Sequence, residues 1–218
     1  MSRPLKYSAD DLELPATDAI ACRSRPSMYV GPVDSDECVS TMLQEAMCFA
    51  LQGALDGITD EIQITKHQNG AVSIRDNGPD LNPHEIRDEL PIAELLLTRS
   101  YACDAAREID RSNFNFGIVS TNALSKSFVY QTTFDDSVWQ QEFQFGIPLS
   151  PIKSIGQHSD RFRCITFVPD TEIILNTELS YDSFREWFGK YCGMIRGCQI
   201  DFQDEINDTT FEVANIAR

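Results

Sequence analysis

The chain has 218 residues, 42% of them hydrophobic, and a formal net charge of −16. That length and apolar content suffice for a sizeable core, and no apolar run approaches the length that spans a bilayer. The charge repels nucleic acid over most of the surface, which argues against direct nucleic-acid binding.

Seven cysteines are scattered without a CxxC pair, and the three histidines (His67, His84, His158) stand far apart. Close pairs of Cys or His are what a structural zinc site needs, so no metal ligands are assigned and the thiols read as buried groups in a reducing compartment. The first residues, Met1-Ser2-Arg3-Pro4-Leu5-Lys6, lack the apolar stretch of a secretory signal, so a cytoplasmic location is expected.

In chain order, residues 1–17 are polar and acidic and read as an extended N-terminal arm carrying one aromatic, Tyr7. A short helical pattern (Ala19, Ile20, Cys22) then runs into the loop Arg23-Ser24-Arg25-Pro26-Ser27-Met28-Tyr29-Val30-Gly31, punctuated by Pro26 and Gly31. The helix after it is capped by Asp36 or Ser40, ended by Gly53 or Gly57, and packs Met42, Ala46, Leu51, Ala54 and Leu55. Glu45 sits in its middle with Phe49 one turn on. Two strands, Glu61–His67 and Gly70–Arg75, turn at Gln68-Asn69-Gly70 and deliver Asp76-Asn77-Gly78. A carboxylate in an apolar helix and another at a strand end are costly to bury, and both positions point to a site.

Residues 82–97 are expected to be helical. Residues 98–116 read as a long loop with one short helix, Asp104–Ile109. Gly117 to Leu124 reads as a small-residue helix whose start could approach a ligand closely. From Ser127 the pattern changes to period two, with strands at Phe128–Thr133, Val138–Phe145 and Arg163–Val168 and a turn at Asp135-Asp136. An amphipathic helix, Tyr181–Met194, and a strand or hairpin over Gln199–Val213 complete the chain. The expected fold class is α+β, a two-layer sandwich of a mixed, mostly antiparallel sheet covered by helices on one face.

Taken together, Tyr7-Ser8-Ala9-Asp10-Asp11-Leu12-Glu13-Leu14, the RPSMYVG segment ending at Gly31, Glu45, Asp76-Asn77-Gly78, Asn122-Ala123-Leu124-Ser125 and the strand ending Thr166-Phe167-Val168-Pro169-Asp170 resemble one family. It is the N-terminal ATPase domain of DNA gyrase B and of ParE, its counterpart in topoisomerase IV, in the GHKL or Bergerat-fold superfamily. The resemblance spans nearly the whole chain. It implies ATP as cofactor, Glu45 as the catalytic residue that polarises the attacking water, and Asp76 as acceptor of the adenine amino group. Gly78, Gly117 and the arm residue Tyr7 join Asp76 as the implied cofactor-binding residues.

The chain departs from that pattern on the triphosphate side. The family's Mg²⁺-holding Asn is Phe49 here, and a phenyl ring offers no oxygen to an octahedral cation. The family's following acidic pair is Gln52-Gly53, and Pro79-Asp80 stands where a further glycine is usual. The phosphate-cradling GxxGxG reads Ser112-Asn113-Phe114-Asn115-Phe116-Gly117, so only its last glycine remains. The GT before the later strand is Phe162-Arg163, and Phe134 replaces a basic residue.

The expected organisation is an arm over 1–17 and a single GHKL ATPase-like domain over 18–218, with no transducer or toprim domain. The expectation is a stand-alone, degenerate ATPase-like domain that binds or regulates a type II topoisomerase subunit or a related partner, or pairs with itself through the arm. The alternatives are the ATP-hydrolysing domain of a divergent type II topoisomerase and, third, an acidic DNA-mimic inhibitor.

Overall fold

The computed structural model describes residues 18–100, 117–190, 194–195 and 197–215. The arm with Tyr7, the short helix expected at Asp104–Ile109 and the segment 112–116 of the expected phosphate loop lie outside the described residues.

Helix α1 (Asp18–Ser24) matches the first helical pattern, and α2 (Ser27–Val30) is a single turn inside what the sequence suggested was loop. Pro26 allows that turn because its fixed φ, here −58°, is already helical. The long apolar helix is two segments, α3 (Glu37–Ala46) and α4 (Cys48–Leu55), meeting at Met47. The amide of Met47 still donates to Leu43 O and Gln44 O, so the path is nearly continuous. Gly57, at φ 70°, turns the chain after it.

Strands β1 (Glu61–Lys66) and β2 (Val72–Asp76) form the expected hairpin. The expected helix over residues 82–97 is only partly one. A small hairpin of β3 (Ile86–Arg87) and β4 (Leu90–Pro91) comes first, and α5 covers Ile92–Thr98. Asp88 and Glu89 adopt positive φ at the hairpin tip, and Pro91 withholds an amide just where a helix through it would need one.

Helix α6 (Ile118–Ala123) leads into β5 (Ser125–Phe134), which pairs with β6 (Ser137–Gln144) across the Asp135-Asp136 turn. Two short strands follow, β7 (Ile147–Pro148) and β8 (Lys153–Gln157), both paired to β6, then β9 (Arg163–Pro169). Helix α7 (Tyr181–Gly189) is shorter than expected. It is capped by Ser180, whose hydroxyl accepts from the Ser183 amide. The hairpin of β10 (Gln199–Asp204) and β11 (Thr209–Asn215) closes the chain.

The large sheet has the order β11-β10-β1-β2-β9-β5-β6-β7, with β8 also on β6. The β1–β10 pairing is parallel and the others antiparallel. One face presents Ile62, Ile64, Ile74, Tyr130, Phe128, Ile165, Phe167, Ile200 and Phe202 to a single core with Met42, Leu43, Leu51, Phe184 and Phe188 from the helices. This is the expected α+β build of a mixed, mostly antiparallel sheet with helices packed on it. Burial pushes the thiols of Cys22 and Cys198 up to about 12 and that of Cys38 up to about 11, so these three remain protonated packing groups.

Candidate functional site

Asp76 ends β2 on the same face as Val72 and Ile74, and that face carries the core. Its register partner on β9 is Arg163, which shares a face with Ile165 and Phe167. Cross-strand partners on one face project together, so the ladder sets a carboxylate against a guanidinium at the sheet's end. Arg163 Nη2 lies 2.8 Å from Asp76 Oδ1, and Nε lies 3.2 Å and 3.3 Å from the two oxygens. The amide of Gly78 also donates to Oδ1, at 2.7 Å.

Both side chains of the pair are buried, at 10% exposure for Arg163 and 4% for Asp76. Burial works against the guanidinium's charge, yet the adjoining Asp76 carboxylate, together with Tyr130 and Cys48, holds Arg163 above its ordinary value. Arg163 also reaches Phe49: Nη2 donates to its carbonyl at 3.0 Å, and Cζ lies 5.7 Å from the centroid of its ring. Strand β9 is thereby tied to both β2 and α4 through one side chain.

Gly78 is hemmed in. A Cβ there would collide with Asp76 Oδ1 and stand 2.5 Å from Arg163 Nη2 and 2.7 Å from Thr59 Oγ1. Asn77 holds the strand end, its Oδ1 accepting from the amides of Asp60 and Glu61 and its Nδ2 donating to Asp60 Oδ1. Asp80 is exposed and accepts from the Thr133 hydroxyl at 3.1 Å. Phe134, on the strand where the family often has a basic residue, meets His84 edge to face at 6.4 Å between centroids.

Glu45 lies on α3 and is 2% exposed. Its Oε2 accepts from the amide of Gly117 at 2.5 Å, where the chain enters α6 with Gly117 at φ 65°. Phe49, on α4, is half-buried with its ring against the core. At that position the chain turns a carbonyl to Arg163 and sets an apolar ring on the core. Residue 49 therefore offers no side-chain oxygen to Mg²⁺.

The structure thus joins Asp76 with Gly78, and Glu45 with Gly117; α3 carries Glu45, and α4 meets the partner of Asp76 through the Phe49 carbonyl. Arg163 and Thr59 were not singled out as site residues by sequence reasoning. The signal for Arg163 was present, an arginine at the head of a strand where the resembling family has threonine. Its target, however, follows only from the β2–β9 register.

The carboxylate that the resemblance assigns to the adenine amino group is thus forked by a guanidinium, and Asp76, Arg163 and Thr59 crowd the position a Cβ on Gly78 would take.

No family model matches the chain. The chain is 27% identical to the DNA gyrase B protein of Thermotoga maritima over 209 residues, 93% of this chain and 32% of that protein. It is 26% identical to the DNA gyrase B protein of Haloferax volcanii over 219 residues, 95% of this chain and 34% of that protein. The corresponding protein of Clostridium acetobutylicum is 26% identical over 194 residues, 86% of this chain and 30% of that protein. The chain therefore spans about a third of the length of the curated relatives it matches. In sequence over most of its length, and in its α+β build, this chain resembles the ATPase domain of DNA gyrase B.

Proposed function

We propose that the chain works as a gyrase-B-like binding module that regulates a type II topoisomerase subunit or a related partner, with weak or absent ATP hydrolysis. The observation that supports this reading is the closure of Asp76 by Arg163 and of Arg163 by the Phe49 carbonyl. Together with the phenyl ring of Phe49 where the family holds Mg²⁺, it closes the two places at which the resembling domains receive adenine and metal. A cytoplasmic setting agrees with the free, buried thiols of Cys22, Cys38 and Cys198. Among the described residues no helix is long and apolar enough to cross a membrane.

Isothermal titration with a non-hydrolysable ATP analogue, with and without Mg²⁺, tests the nucleotide half of the proposal. No saturable heat is expected, and tight Mg²⁺-dependent binding overturns it. Titration of the chain into purified gyrase subunits tests the other half, with a saturable complex as the expected result. Formation of a dimer of this chain alone, with no such complex, would assign the surface to self-association instead.

A second reading, a divergent domain that still hydrolyses ATP, is favoured by the buried Glu45 carboxylate at the start of α6. Under it, phosphate release would be slow and abolished in Glu45→Gln. Equal background release by both proteins removes this reading.

A further inference from the structure

Among the described residues, four groups border the guanidinium of Arg163. Two are the Asp76 carboxylate, at 2.8 Å, and the Phe49 carbonyl, at 3.0 Å. The third is the Phe49 ring, whose centroid is 5.7 Å from Cζ. The fourth is the Thr59 hydroxyl, which belongs to a residue 1% exposed and has no hydrogen-bond partner among the described residues. It borders the guanidinium, since a single Cβ on Gly78 would be 2.5 Å from Arg163 Nη2 and 2.7 Å from Thr59 Oγ1. A desolvated anion, a carbonyl, a spare hydroxyl and a ring face are what a planar cation rich in N–H donors requires. Buried hydroxyls are rarely left unpaired, and this one lies at the rim of the charge.

We infer that Arg163 is the built-in ligand of a pocket for a guanidinium- or amidinium-type cation, and that the pocket accepts such a cation from solution once the Arg163 side chain is withdrawn. The inference rests on the reading above, in which Asp76 is closed to ATP. The charge of the pocket decides the ligand class. Without Arg163, Asp76 is a buried carboxylate with no ion-pair partner among the described residues, an arrangement that is strongly unfavourable. A cation removes that cost, whereas a neutral amino-heterocycle supplies hydrogen bonds alone.

The test is thermal unfolding of the full chain with Arg163→Ala, with and without about 10 mM methylguanidinium, a concentration far below the denaturing range of guanidinium salts. The variant is expected to melt below the wild type and to regain about 3 °C or more in a saturable way. The wild type, whose pocket is filled, and the Arg163→Ala, Asp76→Asn double variant should not respond.

Absence of a rise in Arg163→Ala overturns the inference. So does an equal rise in all three proteins, or a rise with adenosine and none with methylguanidinium. If Arg163→Ala does not fold, Arg163→Met retains the apolar stem and leaves only the guanidinium's place empty, and the same outcomes apply to it. An unresponsive variant in a chain that also ignores ATP removes this inference and leaves the proposed function intact. Tight ATP binding by the wild type removes both.

Discussion

Asp76 and Arg163 face each other across the β2–β9 ladder and close a fork, with Arg163 Nη2 and Nε at 2.8 Å and 3.2 Å from Asp76 Oδ1. The pair spans adjacent strands, and its cation continues to α4 through the Phe49 carbonyl. Removing one partner should therefore be far worse than replacing both. Asp76→Ala is expected to lower stability by about 3–5 kcal/mol, because the Arg163 charge stays behind unpaired. Asp76→Leu with Arg163→Met should lie much closer to wild type, and urea unfolding of the single and double variants reads the difference.

Thr59 carries a buried hydroxyl with no partner among the described residues, so Thr59→Val should leave stability unchanged or raise it by about 1 kcal/mol in urea. A clear loss would show that the hydroxyl is engaged in solution.

Gly53 is packed against the same residue, and a Cβ placed on it would collide with Thr59 Oγ1. Gly53→Ala is expected to cost about 1–3 kcal/mol. Thr59→Ala should recover part of that loss, and strict additivity in the double-variant cycle would contradict the contact.

Arg23, on α1, ties together three other stretches of the chain. Its Nη2 is 2.7 Å from Asp170 Oδ2, its Nη1 donates to the Ala123 carbonyl at 3.0 Å, and its Cζ lies 4.3 Å from the Phe145 ring centroid. Arg23→Ala should cost about 1–3 kcal/mol, with Arg23→Lys recovering little, since an ammonium neither forks nor stacks in that geometry. Chemical denaturation of the two variants is the check.

Asp204 gives a pH dependence. Burial alone would raise its pKa, but the Asn207 side chain, the amides of Asn207 and Ile206 and the Lys66 ammonium together hold it below the ordinary carboxylate value. A carboxyl depressed in the folded state adds stability above its unfolded pKa and loses it as pH falls through the folded value. Stability of the wild type should therefore fall between about pH 5 and pH 3 more than that of Asp204→Asn, as followed by urea midpoints at each pH.

Much of this protein could be read from the chain alone. The apolar spacing around Met42 to Leu55, the period-two runs from Ser127 and the turn residues at Asn69-Gly70 and Asp135-Asp136 determined the α+β build, because these are local preferences of short segments. Glu45 and Asp76 stood out since a carboxylate in an apolar setting is costly wherever the rest of the chain goes. The small hairpin before α5 was missed because the apolar residues around Asp88-Glu89 mimic a helical spacing, while its turn depends on two residues at positive φ. What Asp76 pairs with was decided only by the tertiary structure. Its partner lies 87 residues away, and only the pairing of β2 with β9 brings it opposite. A long-range strand register leaves no local trace in the sequence, so the fork of Arg163 on Asp76 could not be read from the chain alone.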